Sequence, residues 1–292
     1  MTSAHQHPSL NTITITSLDA RDPGGLLDPY RNQKDAWLRA QASGGTGIED
    51  KPGDGLFMAE GELVVGSLLE STHRVISVLC TPRRLETMRE RFGSLPAGTP
   101  ILVAERPVVE QIVGFDLHRG VLALGQRTDP PAATDLLETA RLLVLCEGLA
   151  NHDNIGAIFR NTACLAGPGA AVLLSPDCCD PLYRKSLRVS MGHALRLPFA
   201  RLDPWAEGLE AVRAAGFETI ALTPDPAAED IQQLKQTPNT KPALLLGAEG
   251  PGLAAGTLAG ASRRVRIPMA AGADSLNVAT SLAVALSHMV RI

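Results

Sequence analysis

Three short stretches of the chain place polar residues where a buried strand hands over to a helix: "NHDNIGAIFRNTA" (151–163), "LLLGAEGPGL" (244–253) and "RIPMAAGADSLNV" (266–278). The first sets Asn154 and Arg160 among Ile155, Ile158 and Phe159. An unpaired guanidinium is costly to bury among such neighbours, so Arg160 either finds a neutralising partner or is kept to act on something. The second sets Glu249 among Gly247, Gly250 and Gly252. A glycine-rich turn after a strand lets a ligand approach the backbone, but a carboxylate there repels phosphate. Glu249 suits a cation, a hydroxyl or an amide instead. The third puts Ser275 and Asn277 at the opening of the last helix, where free backbone N–H groups point at whatever binds. Taken singly, each stretch has an ordinary explanation: a capped helix with a solvated arginine, a plain turn, a capped terminal helix.

These loops need a frame, and the hydrophobic pattern supplies one. From Gly55 the chain alternates: helix in "AEGELVVGSLLES", strand in "RVISVLC", helix in "PRRLETMRERF", strand in "TPILVAE", helix in "RPVVEQIVGF", strand in "GVLALGQR". That alternation predicts a small α/β domain over 55–130, closed by the proline-rich joint "TDPPAATD" (128–135). Residues 1–54 read as a partly irregular extension with a helical candidate at Lys34–Ala40. A second domain over 136–292 carries the strand candidates "RLLVLCE", "AAVLLS", "LRLPFA", "FETIALT", "PALLLGAE" and "RRVRIPM". Apolar strands alternating with helices predict a mostly parallel sheet covered on both faces, with ligands at its carboxyl ends. Asp153 or Asn154 is expected to cap a helix starting at Ile155, and Asp274 or Ser275 the last one. The buried stripe of that last helix is expected at Leu276, Ala279, Leu282, Ala283, Leu286 and Met289.

Composition narrows the class. Of 292 residues, 45% are hydrophobic and only 3% aromatic, so the cores must be aliphatic. A net charge of −4 argues against a generally basic nucleic-acid binder. Local clusters remain at Arg83, Arg84, Arg89 and Arg91, at Arg184, Lys185 and Arg188, and at Arg263, Arg264 and Arg266. The five cysteines have no metal-ligand spacing: Cys80, Cys146 and Cys164 read as core, Cys178 and Cys179 as a surface loop. Neither a signal peptide nor a membrane span is evident, so the expectation is a soluble cytoplasmic protein without a metal. Dinucleotide and Walker glycine motifs are absent.

The order N-x-G-x-x-x-R, G-x-E-G-x-G, I-P-M…S-L-N-V resembles the three signature motifs of the SpoU (TrmH-like) RNA ribose methyltransferases of the SPOUT superfamily. The resemblance covers roughly 141–292 and extends loosely to "GLFMAEGELVV" and "GFDLHRGVLALGQR", which are similar to a ribosomal-protein-like substrate-binding domain. One departure is "EGLANHD", where the family often has an acidic residue and proline. The resemblance implies an α/β SPOUT domain with a trefoil knot, working as a homodimer whose sites borrow from both subunits. It implies S-adenosylmethionine as cofactor, lined by Leu246, Gly247, Ala248, Gly250, Ile267, Met269 and Leu276. Arg160 would bind a phosphate and activate a ribose 2′-hydroxyl, either perturbed itself or relaying through the phosphate. Asn154 would orient it, Glu249 would hold Asn154, and Ser275 and Asn277 would complete the pocket. Arg184, Lys185, Arg188, Arg83, Arg84 and Arg119 would contact the RNA, ribosomal in preference to transfer RNA. A metal is not required, because a sulfonium is already activated. An RNA-binding protein without catalysis and a base methyltransferase of the superfamily stay open as alternatives.

Overall fold

The computed structural model describes residues 10–17, 25–31, 55–117, 119–235, 240–270, 272 and 274–289. The helical candidate at Lys34–Ala40 lies outside them. The chain divides into two compact units: 1–129 together with Leu182–Arg196, and 130–181 together with 197–292.

The first unit is built on strands β1 (Thr12–Thr14), β2 (Leu56–Glu60), β3 (Arg74–Cys80), β4 (Ile101–Val103) and β5 (Val121–Gln126), in the order β1-β4-β3-β5-β2. β1, β4 and β3 run parallel, and β5 runs antiparallel to β3 and β2. Helices α1 (Glu62–Leu69), α2 (Pro82–Phe92) and α3 (Arg106–Val113) complete it. Proline at the first turn and the Thr81 hydroxyl, accepting from the Arg84 N–H, start α2 where the sequence places it. Two features differ from the sequence reading. The helix expected over "AEGELVVGSLLES" starts later, because Ala59 and Glu60 belong to strand Leu56–Glu60, which pairs with Leu122–Gln126 of β5, and α1 begins only after Gly61. The amino-terminal stretch contributes β1 at the sheet edge, and Ile15, Leu27 and Tyr30 join the core, with the Tyr30 hydroxyl 2.8 Å from Ser77 Oγ.

His73 and Thr128 tie the sheet to the chain that leaves this unit. The Thr128 N–H donates to His73 Nδ1 at 3.2 Å, which requires a neutral ring. Burial, aided by the positive charge of Arg127, lowers the imidazole to about 4. An unfolded imidazole takes its proton near 6.5, so stability is full above that pH and is lost as pH falls towards 4. For a partly exposed ring the expected loss is roughly 1–2 kcal/mol. Urea unfolding at pH 7 and 4.5 checks it: His73→Gln should lose that share of the pH dependence.

Among its described residues the second unit has seven strands, all parallel: β6 (Leu142–Cys146), β7 (Ala170–Leu174), β8 (Phe199–Arg201), β9 (Phe217–Leu222), β10 (Glu229–Asp230), β11 (Lys241–Leu246) and β12 (Arg263–Arg266). Their order is β10-β12-β9-β11-β6-β7-β8. Its helices are α4 (Ala133–Thr139), α5 (His152–Ala166), α7 (Trp205–Ala214), α8 (Ala255–Gly260) and α9 (Val278–Met289); α6 (Arg184–Val189) lies in the excursion that joins the first unit. Successive strand residues face opposite ways. Leu143, Leu145, Leu173 and Leu245 pack with Leu136 and Leu137 of α4 and Leu209 and Val212 of α7. On the other face α5 packs against α9, burying Ile155, Ile158, Phe159, Leu282 and Leu286.

The expected strand over "LRLPFA" is shorter and later. His193–Leu195 is a 3₁₀ turn, Pro198 has no N–H to offer a ladder, and pairing begins at Phe199. Cys80 and Cys146 are buried, but Cys164 is exposed, because it falls one turn after Arg160 on the outer side of α5. Cys178 is buried rather than on a surface loop: its thiol donates to the Cys146 carbonyl at 3.2 Å. Burial pushes the Cys179 thiol up to about 12. Among the described residues no helix is long and apolar enough to cross a membrane, and no cluster of metal-ligating side chains occurs.

Candidate active site

A cavity of about 450 Å³ opens at the carboxyl ends of β9, β11 and β12. Such strand ends are where open parallel sheets hold their ligands. Leu246, Gly247, Ala248, Gly250, Ile267, Met269 and Leu276 all line it, with Glu249, Ser275 and Asn277. Sequence reasoning missed Leu222, Thr223 and Pro224 at the end of β9, and Val265, Val278 and Ser281. "LTP" at a strand end was the available signal, but only the strand order sets it beside β11.

The loop after β11 folds on itself. Ala248 and Gly252 form an isolated bridge, with the Gly252 N–H donating to the Ala248 carbonyl at 2.9 Å. A side chain on Gly247 would collide with the backbone of Gly252 and Leu253. Gly252 adopts φ +73, a conformation favoured by glycine. Glu147, at the end of β6, fixes the loop's exit: its carboxylate accepts from the Ala254 N–H at 3.1 Å and the Thr257 hydroxyl at 2.8 Å.

A chain of side-chain amides runs from Asn277 in the cavity wall through Asn154 to Glu249. Asn151, not Asp153 or Asn154, caps α5: its Oδ1 accepts from the Asp153 N–H at 2.9 Å, so the helix begins at His152. Asn154 is therefore inside the first turn and 5% exposed. Asn277, not Asp274 or Ser275, caps α9, its Oδ1 accepting from the N–H groups of Ala279 (3.0 Å) and Thr280 (3.2 Å). That leaves only its amide nitrogen for Asn154, whose Oδ1 accepts it at 2.8 Å. Asn154 must then turn its own Nδ2 outward, and it donates to Glu249. Each amide's orientation is thus fixed by the next, from the amino end of α9 to the carboxylate in the glycine loop.

Arg160 stands apart. It is six residues beyond Asn154, about 120° around the helix, exposed, and absent from the cavity lining. Among the described residues it has no hydrogen bond or ion pair. Its exposure removes the burial cost that its apolar sequence neighbours suggest. Leu276, expected in the buried stripe, is 41% exposed at the cavity edge, and Val284 of α9 is 38% exposed. The basic residues expected to contact RNA lie on the first unit: Arg83 and Arg84 on α2, Arg119 before β5, and Arg184, Lys185 and Arg188 on α6.

A parallel α/β unit with a glycine-walled cavity across its strand ends, bearing a carboxylate and no cation among its described walls, suits a small organic ligand better than a polyphosphate. Glu249 is the one charged side chain among the cavity's described walls. The chain belongs to the SpoU rRNA methylase family of RNA methyltransferases, whose model matches residues 141–287. A Mycobacterium bovis protein named as an uncharacterized tRNA/rRNA methyltransferase is 40% identical over 240 residues, 82% of each chain. The 23S rRNA (guanosine-2′-O-)-methyltransferase RlmB of Yersinia pestis is 32% identical over 216 residues, covering 72% of this chain and 84% of that one. An AdoMet-bound rRNA methyltransferase from Sinorhizobium meliloti shares the fold, with a TM-score of 0.70, 21% identity, and coverage of 95% and 97%.

Proposed function

We propose that this protein transfers a methyl group from S-adenosylmethionine to a ribose 2′-hydroxyl of structured ribosomal RNA. The observation that carries the reading is the cavity itself. Its volume suits a small cofactor, its walls are mostly apolar side chains and backbone with the uncharged polar groups of Thr223, Ser275, Asn277 and Ser281, and the single charge among its described walls is the acidic Glu249. That chemistry fits a cationic sulfonium compound and disfavours a nucleotide polyphosphate. When bound, S-adenosylmethionine supplies an electrophilic methyl group. The chain's own residues then have separate tasks. Leu246, Gly247, Ala248, Gly250, Ile267, Met269 and Leu276 enclose the cofactor and exclude water. Asn277 and Asn154 hold Glu249 at the rim, and Ser275 completes the floor.

Arg160 binds an RNA phosphate beside the reacting ribose and assists removal of the hydroxyl proton. Its place on the outer side of α5 supports action in a second subunit's cavity, across a twofold interface formed by α5 and α9. The exposed Val284 and Leu276 support the same face. The knot belongs to this reading: β12 lies outside β9, yet α9 returns to pack on α5, the crossing that a threaded chain requires. Holding hydroxyl and methyl donor together accounts for much of the rate. Residues 55–130, joined by the excursion Leu182–Arg196, serve as the RNA-binding domain, and the rest of 136–292 as the catalytic one. Ribosomal rather than transfer RNA is favoured by the Yersinia pestis relative, which is named for 2′-O-methylation of 23S rRNA. The test offers both fractions, from cells lacking the protein, with labelled cofactor. Label should enter ribosomal RNA, and label confined to transfer RNA would overturn the substrate assignment.

A further inference from the structure

Three arginines, from α6, from α2 and from the loop before β5, converge on one tripeptide of the first unit. Glu60-Gly61-Glu62 is the turn where β2 ends and α1 begins. Arg188 of α6 reaches Glu60 at 4.0 Å, and Glu60 is only 7% exposed. The side chain of Arg119 lies over Gly61, close enough that a methyl group there would strike it. Arg84 of α2 donates to Glu62 at 2.7 Å and to the Arg119 carbonyl at 2.9 Å. One turn before Arg188, Arg184 holds its guanidinium 4.6 Å over the ring of Phe115. Four guanidiniums meet two carboxylates, so this surface is positive on a chain whose net charge is −4.

We infer that this turn is an acid-gated phosphate platform for the RNA. It rests on the reading of the protein as an RNA methyltransferase and adds how that RNA is selected. In the free protein Glu62 and Glu60 hold Arg84 and Arg188, so neither charge is fully offered to a passing polyanion. A bound RNA exchanges carboxylate for phosphate at Arg84, while Arg188 stays near the buried Glu60 and Arg119 and Arg184 add contacts that no carboxylate opposes. The Arg84–Glu62 pair is part-exposed and therefore weak, so the exchange is readily made where phosphates arrive together at the right spacing. An unstructured strand that reaches one arginine at a time gains little against the competing carboxylate. Phosphate contacts carry no base sequence, so the selection is for backbone shape. Charge masking also lets a chain of negative net charge present a basic surface without collecting RNA at large.

Glu62→Gln is the test, since it removes the charge, keeps the shape and lies outside the cavity and its relay. Affinity is read by fluorescence anisotropy on a labelled unstructured RNA and on a folded ribosomal RNA fragment that accepts methyl groups. The variant should bind the unstructured RNA about 3- to 10-fold tighter, with a salt dependence steeper by about one phosphate contact. Its affinity for the folded fragment should rise by less than about twofold, and its kcat should be unchanged. Arg84→Gln should weaken both RNAs. Unchanged or weaker binding of unstructured RNA by Glu62→Gln, with normal methyl transfer, overturns the gate alone. A wild-type protein that binds no RNA, or whose basic turn captures an acidic protein instead, overturns the gate together with the function beneath it.

Discussion

Arg160→Ala removes methyl transfer, by about 10²- to 10⁴-fold, and leaves S-adenosylmethionine binding as it was. Both halves of that result come from where α5 puts the residue. Asn154 faces inward to Glu249 and Asn277, whereas Arg160 is exposed and lines no part of the cavity. Truncation therefore leaves the cofactor's walls intact and creates no buried void. Calorimetric titration with the cofactor checks the first half and single-turnover transfer the second. The sharper consequence concerns subunits. If Arg160 serves the partner's cavity, a dead Arg160→Ala chain and a dead cavity variant should rescue each other when mixed. Random pairing gives half heterodimers, each with one complete site, so activity should return to about a quarter of wild type. An arginine serving its own cavity gives no recovery.

The second large effect is at Gly247. Any side chain there meets the backbone of Gly252 and Leu253, which closes the loop around the cavity. Backbone cannot rotate away as a flexible side chain can, so the loop must open or the strand end must shift. Overpacking of this kind costs about 1–3 kcal/mol or more, and here it falls on the cofactor's own wall. Gly247→Val should weaken S-adenosylmethionine binding at least ~100-fold. Far-ultraviolet circular dichroism should stay close to wild type, because the loop lies outside the core strands. Cofactor affinity within twofold of wild type would remove Gly247, and the cavity with it, from the account. The same variant is the cavity-defective partner for the mixing experiment.

How much of this was legible in the sequence depends on which interaction decides each feature. The strands of the second unit show as apolar runs because both their faces are covered, and their polar terminations mark the loops that form the cavity. Local competition blurred the caps. Asn151, Asp153 and Asn154 are all good capping residues within four positions, and only the bond from Asn154 to Glu249, 95 residues away, explains why the cap falls to Asn151. Asp274, Ser275 and Asn277 present the same ambiguity. Strand order was invisible, since β11 inserts between β9 and β6 while β12 goes outside β9. That order brings Leu222–Pro224 into the cavity. The excursion Leu182–Arg196 was equally hidden, because its "YRKSLRVS" pattern describes a short amphipathic helix without saying which unit it covers. Cys164 misled for a similar reason: apolar neighbours along the chain do not fix which side of a helix a residue occupies.

The measurement that bears most directly on the central claim is where the methyl group lands. Ribosomal RNA from cells lacking this protein is incubated with it and labelled S-adenosylmethionine, digested to nucleosides, and the labelled species identified. The expected result is a single 2′-O-methylated nucleoside, formed by the wild-type chain and not by Arg160→Ala. Label on a base, or label transferred equally well without Arg160, would contradict it.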